Sequence, residues 1–195
     1  MRLTILVAVM VLVSGCYESN ELLLDSAAAR QPITHNRDWF YDSGNRHTHA
    51  RLSLRPDGWY DYSETRVEAG GKEGPWQARA VLLNYLATTS VFAVDYDVFV
   101  YATYNRNDSA YLYGLVVVGK DGFWQTIMPN CDPANANAKW LQSDTKAAQA
   151  AGANIKGIDE VDRVCHFTTR EQLYGAMRAV MADPGFWERV RIARS

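Results

Sequence analysis

The chain has 195 residues, of which 48% are hydrophobic, 22% charged and 12% aromatic. This is an ordinary globular composition, and it excludes disordered, collagen-like and multi-span membrane chains. The formal net charge of -2 argues against a nucleic-acid-binding protein, which usually carries a strongly basic surface. The length suffices for one domain whose core is large enough to fold without a metal.

The first fifteen residues have the layout of a cleaved signal peptide. Met1 and Arg2 supply a positive start, residues 3–13 are apolar apart from Thr4, and two small residues follow. A membrane-spanning helix needs about 20 apolar residues, so this run is too short to favour a permanent transmembrane anchor. The segment is therefore expected to direct export.

The string Val13-Ser14-Gly15-Cys16 resembles the lipobox of bacterial lipoprotein precursors, in which an aliphatic residue, a small residue and Gly or Ala precede Cys. The resemblance covers residues 1 to about 20 and does not reach the globular domain. It implies that the Cys16 thiol receives diacylglycerol, that residues 1–15 are removed, and that the new amino terminus is acylated, typically with palmitate. Several acyl chains make a stable membrane anchor. Ordinary secretory cleavage beside a coincidental cysteine is the alternative.

Tyr17 follows the cysteine where, in enteric Gram-negative lipoproteins, Asp would signal retention in the inner membrane. For a Gram-negative host, the resemblance therefore implies the periplasmic face of the outer membrane. Residues 17–21 are polar, and we expect residues 16–21 to form a lipidated tether. Residues 22–195 are expected to form a single globular domain.

The first strands are predicted by alternation of apolar and polar residues. Residues 26–30 favour one helical turn, which Pro32 ends. Residues 47–54 alternate, run into the turn Arg55-Pro56-Asp57-Gly58, and continue into residues 59–64, which predicts a β-hairpin. Residues 76–85 fit either helix or strand, and we favour strand.

The stretch 91–128 carries β-branched and aromatic residues at the density of strands, with polar or glycine-containing breaks at 105–109 and 119–122. It therefore predicts a meander of antiparallel strands. Residues 111–118 are apolar on both faces, which indicates a central strand covered on both sides.

The composition changes after the meander. Residues 133–152 predict a loose helical segment that Gly152 ends. Residues 161–167 predict a short strand. Thr169 and Gln172 form a capping-box pattern, which predicts a helix that runs until Pro184. The predicted fold is therefore α+β, with an antiparallel sheet of about six or seven strands curled into a half-barrel or a sandwich-like meander and a C-terminal helix packed on it.

The chain has three cysteines, and the lipobox accounts for Cys16. Cys131 and Cys165 remain. An even remainder in a protein exported to an oxidising compartment predicts a disulfide between these two.

Three local patterns could carry chemistry, and each has a simpler interpretation. Residues 114–121 almost match a phosphate-binding loop, but they are strand formers and no helix follows, so no nucleotide is expected. His47 and His49 share a strand face and could begin a metal site with His35, but a solvated polar face is the commoner outcome. No cofactor is expected.

Asp95 and Asp97 could project together as paired carboxylates, but catalytic pairs usually come from different elements. No nucleophile or metalloprotease motif is present in the sequence. A hydrolase would therefore have to use residues that meet only in three dimensions.

Aromatic residues are concentrated, with 17 of the 23 between Trp39 and Trp124. A surplus of such rings exposed on one sheet face can bind the surface of a sugar or a peptide. The candidates nearest the hairpin turn are Trp59, Tyr60 and Tyr62. Residues 30–55 are rich in Arg and His and could form an anion-binding face, from which Arg51 joins the candidate set.

These observations predict a membrane-anchored envelope lipoprotein that binds a protein, glycan or lipid ligand without catalysis. A cell-wall-directed hydrolase with an unrecognised site and a purely structural envelope component are the alternatives. Neither nucleic acid nor nucleotide is expected as a partner.

Overall fold

The computed structural model describes residues 17–43, 46–68, 70–105, 109–129, 131, 139–156 and 164–194. Within them the strands are β1 Tyr17–Ser19, β2 Arg37–Ser43, β3 Arg46–Leu54, β4 Tyr60–Val67, β5 Gln77–Val91, β6 Val94–Asn105, β7 Ala110–Gly119, β8 Trp124–Ile127, β9 Asn154–Lys156 and β10 Val164–His166. The α-helices are α1 Lys139–Ala150, α2 Arg170–Ala182 and α3 Pro184–Arg194. A short 3-10 helix spans Ser26–Ala28.

The described strands form one ten-stranded sheet in the order β2-β3-β4-β5-β6-β7-β1-β10-β9, and β8 pairs with β7 beside β1. Every pair is antiparallel except β1 with β10. The described chain is mostly one antiparallel sheet with three α-helices, two of which end the chain, so the predicted α+β class and its C-terminal helix are confirmed. The sheet has more strands than the six or seven expected.

The predicted hairpin is confirmed as β3 and β4, which pair from His47 opposite Val67 to Leu54 opposite Tyr60. Its turn needs glycine at position 58, where the backbone has a φ of +86°. The ambiguous segment that follows is a strand, as favoured, and β5 extends over 15 residues.

The predicted meander is confirmed as β6, β7 and β8. Strand β7 is buried along most of its length, as expected for a strand covered on both faces. Its Gly114 is required by packing, because a Cβ there would lie 2.6 Å from Cζ of the Tyr101 ring on β6. An aromatic ring laid over a cross-strand glycine in this way fills the space that the missing side chain leaves.

The sheet separates two apolar cores. The larger core joins β1, β5, β6 and β7 to the three helices, and Leu82, Val98, Leu115, Phe167 and Met177 are among its fully buried members. The smaller core lies on the other face, which we call the concave face, and its buried members are Ile33, Leu52, Tyr60, Leu83, Phe99, Tyr101 and Val116.

Side chains from distant strands meet on the concave face. The ring centroids of Trp39 on β2 and Trp124 on β8 lie 5.1 Å apart, with the rings perpendicular. Arg37 donates from Nη1 to the Gly122 carbonyl at 3.1 Å. No backbone pairing joins β2 to β8 in the part of the chain that the structure describes, so the sheet curls without closing into a barrel.

Residues 17–19, which lie within the tether predicted over residues 16–21, form strand β1. Tyr17 is fully buried, and it pairs with Tyr113 on one side and Cys165 on the other. Its hydroxyl donates to the Asp144 carbonyl at 2.5 Å, and burial raises the pKa of this phenol well above its ordinary value. Strand β1 lies between β7 and β10, so residue 17 is part of the folded sheet.

The helical predictions are confirmed in part. Thr169 caps α2 with the expected capping box to Gln172, and Gly152, with a φ of +83°, follows α1 as the predicted stop. Of the predicted helical segment 133–152, residues 133–138 lie outside the described residues, as do residues 161–163 of the predicted strand that became β10. Helix α3 was not expected, because Pro184 begins a helix here rather than only ending one.

The two candidate disulfide cysteines lie at disulfide distance, with their Cα atoms 5.6 Å apart. Cys165 is in β10, and both cysteines are fully buried in the larger core. A bond here would close a loop with a sequence separation of 34 residues.

We predict that changing both Cys131 and Cys165 to Ser lowers the free energy of unfolding by about 4 kcal/mol, the loop-entropy expectation for this separation. Denaturant unfolding of the exported protein measures the loss, and the reduced wild type should match the double variant. Peptide mapping that finds two free thiols in the exported protein would contradict the pairing.

Candidate functional site

The structure does not bring the four predicted ligand residues together. Trp59 packs against the larger core, whereas Tyr60 points into the concave core. Tyr62 lies beside the concave core, and Arg51 lies on the opposite face of β3 from Leu52. The aromatic run at the turn therefore alternates between faces, as period-two geometry requires.

Tyr60 is a core residue rather than a ligand-binding one. Its side chain is fully buried, and its hydroxyl lies 3.1 Å from both the backbone nitrogen and the carbonyl oxygen of Ile33. Burial raises the pKa of Tyr60 to about 12, against the opposing effect of the Ile33 backbone contact. The hydroxyl thus holds the segment before β2 onto the sheet.

Tyr62 belongs to an aromatic group at the rim of the concave core. Its ring lies 6.1 Å from that of Trp39, and the Arg79 guanidinium lies over it at 4.8 Å from the ring centroid. The Tyr62 hydroxyl donates to Glu64 at 2.7 Å. These contacts join β2, β4 and β5 where the sheet curls towards β8.

A second group occupies the outer face, which we define as the face of β2, β3 and β4 opposite the concave core. The larger core, which contains the helices, includes no described residue of these three strands, so no described helix covers this face of them. The group, which we call the His49 cluster, consists of Asp38, Phe40, His49, Arg51, Glu73 and Trp76.

Strand pairing builds most of this cluster. Alternation places His49 and Arg51 on the same face of β3, where Phe40 and Asp38 of β2 stand opposite them. The Phe40 ring stacks on the imidazole with centroids 4.2 Å apart and an interplanar angle of 21°. Arg51 donates from Nε to Asp38 Oδ2 at 3.0 Å.

The remaining two residues come from the 70–76 loop between β4 and β5. Gly71 in this loop has a φ of +80°, which lets the chain turn back over β3. Thr65, opposite His49 on β4, donates its hydroxyl to the Gly74 carbonyl at 2.8 Å. The Trp76 ring then lies 5.0 Å from that of His49 at an interplanar angle of 65°, and its face is 4.4 Å from the Arg51 guanidinium.

Both ring nitrogens of His49 face carboxylates. Nδ1 lies 2.5 Å from Glu73 Oε1, and Nε2 contacts Asp38 Oδ1. The hydrogen bond to Glu73, opposed by burial and supported by Asp38, raises the pKa of His49 above its ordinary value. Partial burial acts to raise the pKa of Asp38, but hydrogen bonds from Arg51 and His49 hold it below its ordinary value.

This arrangement suits binding better than proton transfer. With a carboxylate on each ring nitrogen, His49 has no free nitrogen to take a proton from a substrate. The chemically available groups are instead Phe40, whose residue is 69% exposed, and the half-exposed side chains of Asp38 and Arg51. The cluster therefore presents a hydrophobic ring beside charges of both signs.

The other candidate patterns are satisfied locally. Lys120 bonds Asp95 at 2.7 Å and, with Ser90, lowers the pKa of that carboxyl, while Thr88 bonds Asp97 at 2.5 Å. His35 is exposed on the segment before β2. Across the described ranges no three metal-ligating side chains gather at one point.

A shallow cleft of about 290 Å³ lies at the other end of the concave face. It is lined by Arg30, Gln31, Pro32, Tyr85, Asp97 and Phe99. Tyr85 and Asp97 both bond Thr88, and Gln31 donates to the carbonyls of Arg55 and Trp59, so these three polar lining residues have hydrogen-bond partners within the chain.

Comparison with known proteins finds no match: no family model, no curated protein and no solved structure corresponds to this chain. Among the described helices, none combines the length and the apolar character needed to cross a membrane.

We predict that Tyr60→Phe lowers the free energy of unfolding by about 1–2 kcal/mol, because it leaves the Ile33 backbone groups without their buried partner. Arg51→Ala should cause a smaller loss, since the Arg51–Asp38 pair is half exposed. Chemical denaturation of both variants gives the comparison. A larger loss for Arg51→Ala would reverse the assignment of Tyr60 to the core and of Arg51 to the surface.

Proposed function

We propose that this protein is a lipid-anchored envelope protein that binds a protein partner through the His49 cluster and the adjoining edge of β2. The observation that carries the proposal is the exposed Phe40 ring, held in place by His49 on a sheet face that lacks a helical cover in the described residues. Exposed aromatic residues and Arg are the residue types enriched at protein interfaces.

The edge of β2 supports a polypeptide as the partner. Strand β2 has seven residues, and within the described chain it pairs only with β3. A free strand edge offers backbone donors and acceptors that another extended chain can satisfy. Phe40 and Asp38 project from this same strand, so side-chain and main-chain contacts would be made together.

The Val13-Ser14-Gly15-Cys16 string supports lipidation at Cys16, and Tyr17 after it supports attachment to the periplasmic face of the outer membrane in a Gram-negative host. The buried position of Tyr17 has a consequence for this anchor. A lipid on Cys16 would be one residue from a strand that is paired on both sides, so the domain would lie directly against the bilayer instead of on a flexible stalk. The Trp39–Trp124 contact supports the half-barrel form of the curl for that domain.

We predict that labelled palmitate is incorporated into the wild type and not into Cys16→Ala, because the thiol is the site of lipid attachment. Metabolic labelling in the cells that make the protein measures this. Equal labelling of the two proteins would rule out Cys16 as the anchor.

We further predict that a photo-reactive side chain at position 40 crosslinks to one discrete protein in intact envelopes. The matched control is position 104, where the native Tyr104 is also aromatic and exposed but lies on β6. Crosslinked products are compared by gel and mass spectrometry. Absence of a discrete product at position 40, or the same product from both positions, would contradict a binding surface at the His49 cluster.

A further inference from the structure

We propose that His49 is a pH-sensitive latch, which in its doubly protonated form fastens the 70–76 loop and Phe40 to the outer face and holds them more weakly when it loses a proton. This would regulate the surface assigned above to partner binding, so its physiological consequence rests on the proposed function. The latch itself is a property of the folded chain and can be tested without any partner.

The number of protons on the His49 ring sets how many hydrogen bonds the ring can donate. A neutral imidazole donates from one nitrogen only, whereas the imidazolium donates from both. His49 faces Glu73 through Nδ1 and Asp38 through Nε2, and ionised carboxylates only accept hydrogen bonds. Both contacts can therefore be hydrogen bonds at once only when the ring carries two protons.

The two carboxylates belong to different elements. Asp38 belongs to β2, which is already paired to β3 along its length, so losing its bond to His49 leaves the strand in place. Glu73 belongs to the loop, whose backbone is tied to the end of β4 by a bridge between Val67 and Glu73, by the flanking backbone hydrogen bonds and by the Thr65 hydroxyl. Those ties reach only β4 and the residue after it, whereas the Glu73 carboxylate bonds the loop to His49 on β3.

Phe40 and Trp76 both contact the imidazole. Phe40 stacks on its flat face, and the Trp76 ring lies at 65° to it. A cationic ring is attracted by the face of an aromatic neighbour, and this attraction disappears when the charge is lost. Deprotonation therefore loosens the exposed Phe40 ring at the same time as the loop.

The charged surroundings favour the latched state. Asp38 faces His49 from β2 and Glu73 faces it from the loop, while Arg51 on β3 is turned to Asp38 and Trp76. From β4 the opposing residue is the uncharged Thr65, and His47 shares the face two residues along β3. Two anions thus flank the imidazole directly, and the nearest cation is engaged with one of them.

The direction of the pH effect follows from these contacts. Because the pKa of His49 is raised in the folded protein, its stabilising contribution is complete below the ordinary histidine pKa and is lost as the pH rises through the folded value. Because the pKa of Asp38 is lowered, its side of the contact is lost only as the pH falls through that lower value. The latch is therefore closed in mildly acidic solution and opens towards alkaline pH.

The first measurement is an NMR titration of the histidine Cε1–Hε1 signals in the full chain. His49 is expected to titrate above the ordinary histidine pKa, and Glu73→Gln is expected to lower the pKa of His49. A His49 that titrates at or below the ordinary histidine pKa, or that does not respond to Glu73→Gln, would overturn the proposal.

The second measurement is amide hydrogen exchange of the 70–76 loop, compared between the wild type and Glu73→Gln at each pH so that intrinsic exchange chemistry cancels. Below the His49 transition, the wild-type loop is expected to exchange about tenfold more slowly, as for loss of one charge-assisted hydrogen bond. Above the transition, the difference between the two proteins should shrink, because Glu73 and Asp38 then share the one remaining N–H of the ring. His35→Gln, a matched histidine control, should behave as the wild type throughout.

Glu73→Gln keeps the imidazole, the aromatic stack and every strand pair, so the folded domain is expected to persist, which a thermal melt checks. His49→Gln is the second variant, and its loop should show the open rate at every pH. Equal loop exchange in the wild type and Glu73→Gln below the transition would overturn the latch. A confirmed latch together with a failed crosslink at position 40 would retain the latch and reject the binding function.

Discussion

The burial of Tyr17 between β7 and β10 is the constraint on which the rest of the structure depends. Strand β1 has only three residues, but it joins the antiparallel meander to the C-terminal part of the chain. Tyr17 contacts Phe167 through its ring and α1 through its hydroxyl, and it pairs with Cys165. This one residue thus contacts the sheet, a helix and one cysteine of the pair, so the position of the N-terminal segment is part of the fold.

Much of the fold could be predicted from local pattern. Strands β3, β4 and β7 alternate or are apolar over eight to ten residues, and the capping box marks the start of α2. Strand β1 could not be predicted in this way, because Tyr-Glu-Ser is too short for a period and its polar residues resemble a linker. Its conformation is decided by partners more than ninety residues away, such as Tyr113.

The candidate site was predictable only in part. Alternation in β3 placed His49 and Arg51 on one face, and Arg51 was identified from the basic stretch around it. Glu73 and Trp76 could not be assigned to the same site, because a glycine-containing loop carries them back over the strand and leaves no spacing signal. Tyr60 differs from these residues. An aromatic residue beside a turn looks available for a ligand, but the alternation of β4 places the Tyr60 side chain on the face that packs in the concave core.

The proposed function involves two surfaces of one domain: the start of β1, proposed to lie directly against the membrane, and the outer face, proposed to bind a partner. Neutron reflectometry of the lipidated protein on a supported bilayer tests the first of these most directly, because it measures the thickness of water between the headgroups and the protein layer. The account predicts that the protein layer begins at the headgroups with no resolved water gap. A hydrated gap of roughly 15 Å or more, as a flexible linker of several residues would allow, would contradict it.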